Sequence, residues 1–516
     1  MLYILLSTVV ALLLCRLVVL WVRYEVMHPL REHAYPLRKD KNFEVIKEAA
    51  GNGTLPKAFR PNSFPLSSWS GNVILADYEL IKEAFSKKEL SNRLYSEKLD
   101  QDMVRKRKNY GINEMVERIL GPEDTLTKNG AGASMGIGDG FYDETHRNLR
   151  VHWHDTIKRL VGRNQISEII QHSSAQVNRY LEREGSQDGI DPREIFMNGT
   201  MNVVTGFSLG ILYEFDDPDF KNLAKYVRVF FENMRNMYVN KIIVDIFPLW
   251  PRMTQNWLYQ LFVRKPLAGI TETVPRFTEY ILTKVKEHRA TLDIANPKDF
   301  LDILLIAAEK DSRLGHFTIT SSIVALYLGA SDTLSNQMRW LCFTLADHPE
   351  VQEKMFEEIK ASIEKDSEIM KENCPFTRSV LLENMRWHPV VDTLPHRATE
   401  DIEVQGVPIK NKAVVQASLT AVMHNPANFP EPEKFIPDRF IKNGAFENDV
   451  KVCGFSLGLR NCIGKQLAIE EYFIFSSNMV KSFRLERTAG KNEIANHTAI
   501  LMPKDGNKVR FIPRNK

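Results

Sequence analysis

From Phe317 to Asp347 the chain runs without a proline and with apolar residues on every side, until His348-Pro349 stops it. The pattern predicts a helix of about 30 residues, well above the mean of ~11–12. A helix apolar all round has to pass through an interior. A chain folded around such an element is helix-dominated, and the neighbouring sequence agrees. Residues 143 to 382 are mostly long amphipathic runs with few strand signals. Earlier, WSGNVILADYELIKEAFSK has a short apolar run and then helical spacing at Leu80, Ile81 and Phe85, which predicts a strand followed by a helix. Between Val390 and Val415 short β-branched runs alternate with turn residues and predict a small sheet. There is no internal repeat and no βαβ alternation. The expected fold is mainly α with a minor β portion, in a single large domain over residues 61–516.

Composition narrows the function classes. With 516 residues, 43% hydrophobic and 26% charged, the chain is neither disordered nor collagen-like, and it has ample length to bury a large core or an apolar cofactor. The 68 Lys+Arg against 65 Asp+Glu leave +3, too small an excess to argue for nucleic acid as a partner. Cys15, Cys342, Cys374, Cys453 and Cys462 are few, odd in number and scattered, which excludes a disulfide framework and a paired-cysteine zinc site.

Leu2 to Val22 is almost wholly apolar, and at helical rise it spans ~32 Å, enough to cross a bilayer. Arg16, in the last third of the stretch, reaches the nearer interface by snorkelling. Neither a basic leader nor a small-x-small cleavage site accompanies the segment, so residues 1–22 are expected to be a retained transmembrane anchor, followed by a linker over 23–60. Arg23, Arg31, Arg38, Lys39 and Lys41 outnumber Glu25, Glu32 and Asp40 just after it, which places the bulk of the chain on the cytosolic side.

The chemistry concentrates in Phe455-Ser-Leu-Gly458-Leu-Arg460-Asn-Cys462-Ile-Gly464, which opens onto the helical run KQLAIEEYFIFSSNMV. A lone cysteine at the mouth of a helix meets the positive end of the dipole and a set of free N–H groups, which favour a thiolate, and a thiolate is a soft metal ligand. Gly458 and Gly464 allow tight turns and close approach to something flat, Phe455 offers an aromatic wall, and Arg460 suits a carboxylate. The bland alternative is a small buried hydrophobic cysteine, as most free cysteines are.

The pattern FxxGxRxCxG resembles the haem-binding loop of the cytochrome P450 family, and a chance match of its five positions in a chain this long is on the order of 10⁻⁴ by ordinary residue usage. Glu383-Asn-Met-Arg386 is similar to the family's ExxR helix, and Pro437-Asp-Arg439-Phe440 to the motif that completes an ExxR–Arg network; both precede Cys462 in the family's order. Gly329-Ala330-Ser331-Asp332-Thr333, inside the long helix, resembles the family's oxygen-side segment. The resemblance covers roughly residues 60 to 510.

It implies a haem-thiolate monooxygenase on the endoplasmic reticulum membrane, its catalytic domain cytosolic. Haem b would be held by Cys462 as iron ligand, with Phe455, Gly458, Gly464, Arg460 and His396 around it. It implies a proton relay of Asp332 and Thr333, an NADPH-dependent flavoprotein reductase as partner, and an apolar small-molecule substrate of steroid, fatty acid or xenobiotic class. Lys451, Lys465, Arg439 and Arg147 are candidates for docking an acidic reductase.

The sequence also departs from the family. In ETHRNLRVHWHD the WxxxR register gives His146 where tryptophan is usual and Arg150 where arginine is expected, so a cofactor-carboxylate clamp and a solvated helix face stay open as readings. Trp153 falls out of that register. Ala330 stands where glycine is usual and Leu334 where a second hydroxyl is common. His152 and His154, without further ligands, read as solvated.

Three rival functions are available, one of them a haem-binding protein without turnover, which the altered WxxxR brings into view. Family relatives that rearrange peroxides need neither reductase nor relay, and Asp332-Thr333 argues against that reading. Gly454-Phe-Ser456-Leu-Gly458 satisfies GxSxG, the nucleophile elbow of serine hydrolases, which demands a preceding strand, an alternating β/α scaffold and a later acid and histidine. Only His497 follows Ser456.

Overall fold

The structure is a computed structural model that describes residues 30, 34–35, 42–61, 72–93, 112–129, 136–139, 142–185, 188–229, 268–392, 395–490, 494–495, 501–504 and 506–514. The expected anchor lies outside them. Among the described residues no helix is long and apolar enough to cross a membrane.

The helices that position the site are α1 (Asn42–Gly51), α2 (Tyr78–Phe85), α3 (Gly136–Asp139), α4 (Glu144–Gly162), α5 (Gln165–Glu184), α6 (Arg193–Leu209), α7 (Ala268–Thr291), α8 (Phe300–Ala308), α9 (His316–Asp347), α10 (Pro349–Asp366), α11 (Pro375–Trp387) and α12 (Lys465–Ser482). Short polar residues start several of them: Asp77 accepts from the Leu80 N–H at 3.0 Å, Asp143 from that of His146 at 2.8 Å and Asp299 from that of Asp302 at 2.9 Å.

The predicted long helix is α9, 32 residues, ending where Pro349 opens α10. It runs through the main core and packs along α6, where the Tyr327 hydroxyl donates to Thr205 Oγ1 at 2.9 Å. Trp153, Phe207 and Phe300 bring α4, α6 and α8 together, with ring centroids 4.4 and 5.4 Å from the tryptophan. Lower on α9, Trp340 stacks on His388 at 4.1 Å and donates to the Leu501 carbonyl at 3.2 Å, so its one polar atom is satisfied in the interior. Each such aromatic, fully buried, stabilises by ~1.5–3 kcal/mol.

Among the described residues the β portion is one six-stranded sheet, order β1-β2-β3-β8-β5-β4, with four two-stranded pairs. Its strands are β1 (Ala34–Tyr35), β2 (Ala58–Pro61), β3 (Asn72–Leu75), β4 (Asn92–Arg93), β5 (Pro395–Arg397) and β8 (Val414–Ala417). Between the last two, β6 (Ile402–Val404) and β7 (Val407–Ile409) form a hairpin closed by Gln405-Gly406, both at positive φ, the geometry a two-residue hairpin turn requires. The antiparallel β4–β5 pair sets Arg93 directly across from His396.

The expected linker over 23–60 is corrected in part. Residues 42–51 form α1, residues 58–61 form β2, and Ile46 and Phe59 are buried against Ile74. Charge density in this stretch hides a helix with only one narrow apolar face, at Val45, Ile46, Ala49 and Ala50.

Helix α11 carries a buried ion network. Arg386 chelates Glu383 through Nε and an η nitrogen at 2.7 and 2.8 Å and donates to the carbonyls of Met423, Pro432 and Lys434, while Arg439 Nε reaches the same carboxylate at 3.2 Å. Glu383→Ala leaves two guanidinium groups uncompensated, one of them wholly buried. A loss of about 3–5 kcal/mol is expected, read as a large drop in the thermal unfolding midpoint with little soluble protein recovered. Wild-type stability in that variant contradicts the network's role.

Candidate functional site

The loop before α12 is held by its own backbone. The Cys462 N–H donates to the Phe455 carbonyl at 2.8 Å and the Ser456 N–H to that of Cys453 at 2.8 Å. Gly458 sits at φ +74°, and a Cβ there would stand 2.0 Å from the Phe85 carbonyl oxygen, so α2 and the loop touch backbone to backbone. Gly464 is different: its φ is ordinary, and a Cβ would meet only Cys462 Sγ, at 3.9 Å.

Cys462 is exposed at its side chain, whereas Cys342, Cys374 and Cys453 are buried. Enough protein surrounds the sulfur that desolvation still raises its pKa, opposed by the N–H groups of Gly464 and Lys465 and by Arg150. Those donors and that cation stabilise the thiolate once a metal supplies the remaining positive charge.

Helix α4 brackets the cysteine. Arg150 donates to the carbonyl and Oδ1 of Asn461 at 3.1 and 2.7 Å, and Trp153 Nε1 donates to the Ile463 carbonyl at 2.9 Å. The WxxxR register gave no role to Trp153, because it is the position on the next turn that reaches the loop.

Cationic and imidazole groups gather beside this bracket. Arg460, nearly buried, donates to the Gly138 carbonyl at 2.7 Å. His396 is buried, lies flat on the Phe85 ring with centroids 3.9 Å apart, and has Nδ1 2.6 Å from the Leu90 carbonyl; its Nε2 has no partner. His146 is equally buried, with Nε2 3.2 Å from the Ile137 carbonyl and Nδ1 without a partner. Its solvated-face reading is therefore overturned.

Burial holds the His146 pKa down at about 3, helped by Arg460, Arg150 and Arg93 in that order, while the Ile137 carbonyl works the other way. Burial likewise keeps His396 well below the usual range, with Arg93 and Arg460 adding to it. Arg93 escaped the sequence reading. Only the β4–β5 register, which sets it opposite His396, marks it.

On α9, Thr333 Oγ1 donates back to the Gly329 carbonyl at 2.6 Å, and Asp332, buried on the adjoining face, accepts from Arg193 of α6 at 3.2 Å. Ser321, Ala325, Gly329 and Thr333, four residues apart, form a partly solvent-accessible stripe on a mostly buried helix, flanked by the half-buried Val324 and Leu328. Among the described residues no hydrogen bond joins Asp332 or Thr333 to the Cys462 loop. Leu334 is buried in the core and Ala330 packs against it.

Of the docking candidates, Arg439 is withdrawn: its guanidinium is spent on Glu383 and on the Pro430 and Glu431 carbonyls. Arg147 is exposed, Lys451 half-buried, and the Lys465 ammonium stands 5.9 Å from the Phe455 ring. Ser456 has φ +61°, but residues 447–455 leading to it are turns and loop, not the strand an elbow needs; His497 lies outside the described residues.

A family model described as Cytochrome P450 matches residues 125–511. Cytochrome P450 2C3 of Oryctolagus cuniculus is 30% identical over 408 residues, 75% of this chain and 80% of its own length. Cytochrome P450 2C20 of Macaca fascicularis is 29% identical over 435 residues, 81% and 79% of the two chains. Cytochrome P450 2C8 of Homo sapiens is 30% identical over 341 residues, 63% and 66%.

The two loop glycines separate fold from ligand face. Gly458→Ala meets the Phe85 backbone and adds left-handed strain, so a thermal midpoint lowered by at least ~1–3 kcal/mol of stability is expected; Gly464→Ala leaves the midpoint unchanged within error. Equal midpoints for the two variants contradict this assignment.

Proposed function

Because the chain belongs to the cytochrome P450 family and is a haem-dependent monooxygenase, we propose that it holds haem b through Cys462 and inserts one oxygen atom from O2 into an apolar small molecule of steroid, fatty acid or xenobiotic class. The observation that carries the reading is the pairing of an accessible thiol at a helix mouth with a chamber of three arginines and two buried imidazoles, each imidazole with one ring nitrogen unpartnered. That donor set fits a flat iron porphyrin with two carboxylates: soft sulfur for the metal, cations and imidazoles for the acids.

Bound haem supplies dioxygen activation, with electron density pushed from the thiolate. The protein does the rest. Cys462 would bind the metal; Gly458 lets the loop seat on α2, and Gly464, with no side chain, leaves room beside the sulfur for a planar ring, with Phe455 as a wall; Arg93, Arg150, Arg460, His396 and His146 would orient the carboxylates. On α9 the Thr333 hydroxyl, its proton directed at the Gly329 carbonyl, presents its lone pairs to the accessible stripe. Asp332 Oδ1 holds a proton-exchange position bonded to Arg193, whose side chain is 35% exposed and so connects it to water. Val324, Ala325 and Leu328 offer an apolar seat for substrate.

Electrons come in this reading from an NADPH-dependent flavoprotein reductase, drawn to Arg147, Lys451 and Lys465. The apolar segment over residues 1–22 anchors the chain in the endoplasmic reticulum membrane, catalytic domain in the cytosol.

Reduced protein treated with carbon monoxide should show the red-shifted Soret band of a thiolate-bound haem, and Cys462→Ala should abolish it. Survival of the band in that variant removes Cys462 as ligand. Thr333→Ala should lower product formed per reductant consumed by on the order of tenfold or more; unchanged coupling ends the relay assignment.

A further inference from the structure

The unpartnered nitrogens of His146 and His396 are subject to a proton count. A neutral imidazole carries one N–H, and a backbone carbonyl only accepts. With Nε2 at 3.2 Å from the Ile137 carbonyl, the His146 proton sits on Nε2 and Nδ1 is bare; with Nδ1 at 2.6 Å from the Leu90 carbonyl, the His396 proton sits on Nδ1 and Nε2 is bare. Both bare atoms are buried and partnerless. A carboxylate also only accepts, so it cannot bond to either atom until a proton arrives.

We propose that the carboxylate chamber takes up a proton together with the haem carboxylates, and that His146 is the residue that carries it. The proposal rests on the reading that haem is the group held by Cys462. It concerns a histidine that stands where the family's WxxxR motif has a tryptophan, whose N–H does not titrate.

The charged surroundings favour this exchange. His146 is faced by Arg460 from the ligand loop, Arg150 from its own helix and Arg93 from β4; Asp143, on its own helix, bonds the His146 backbone N–H at 2.8 Å, and the Tyr142 ring lies 5.8 Å away. Three guanidinium groups repel a fourth positive charge until a dianion enters among them, and then the repulsion is largely cancelled. His396 is the poorer site for the proton, because its ring lies stacked on Phe85 and its Nδ1 is already tied to the Leu90 carbonyl. Binding that takes up a proton strengthens as pH falls and weakens as pH rises through the bound-state pKa of the histidine.

The test is haem transfer from the holoenzyme to excess apomyoglobin, followed from about pH 6 to about pH 9. Wild-type release should accelerate with pH, by up to about tenfold per unit where one proton is linked. His146→Trp and His146→Gln provide non-titrating donors, and both should retain haem and lose that slope; the Cys462 thiolate titrates alike in all three proteins and cancels in the comparison. Wild-type protein loaded with haem dimethyl ester, which has no free carboxylates, should also lose the slope, a measurement that needs no variant to fold. Haem-retaining variants, or ester-loaded wild type, with the full wild-type slope overturn the proposal and leave the functional reading intact. Wild-type protein that holds no haem at any pH overturns both.

Discussion

Glu383, fully buried, carries two arginines, one of them wholly buried and the other partly open to water. Removing three charged groups from solvent costs several kcal/mol per ion, and attraction alone does not recover that unless every remaining donor is satisfied. Here they are satisfied by backbone: Arg386 spends its other N–H groups on the carbonyls of Met423, Pro432 and Lys434, and Arg439 spends its own on Pro430 and Glu431. The ion cluster thereby fixes the irregular chain between residues 423 and 439, which has few regular elements to hold it. A short hairpin, Ile441–Lys442 with Ala445–Phe446, follows this run before the loop of Cys462.

The parts legible in the sequence were those whose signal is local. The prolineless run became α9, the Glu383–Arg386 spacing became a chelate on one helix face, and Gly458 of the cysteine loop took a left-handed backbone position against Phe85 that only glycine fits. What stayed hidden depends on pairing between distant segments. Arg93 belongs to the site because a two-residue strand at the sheet edge pairs with β5, and two residues carry no periodicity to read. His146 looked amphiphilic enough for a surface, since only the packing of α3 against α9 closes over it. Helix α1 was lost in the charge around it, and Trp153 was lost to a family register that assigns its function to another turn.

Neighbouring residues on a helix point about 100° apart, and α9 uses this to separate two tasks. Thr333 turns to the accessible stripe, and Asp332 turns into the packing against α6. From there a chain of partners continues: Arg193 bonds Asp332, its backbone N–H bonds Asp191, and Asp191 pairs with Arg339, two turns further along α9 and anchored to the Pro503 carbonyl at 2.8 Å. The carboxylate is thus braced through Arg193 and Asp191 against its own helix two turns further on.

The hydrogen bonds from α4 to Asn461 and Ile463 fall on the residues immediately before and after Cys462. A sulfur borne on an unbraced loop would sample a spread of positions, and a metal bound to it would experience a correspondingly blurred ligand field. With both flanking residues tethered to one 19-residue helix, the sulfur moves as part of a rigid body. A uniform spectroscopic population, with narrow lines even as surface loops fluctuate, is the physical signature of that tethering.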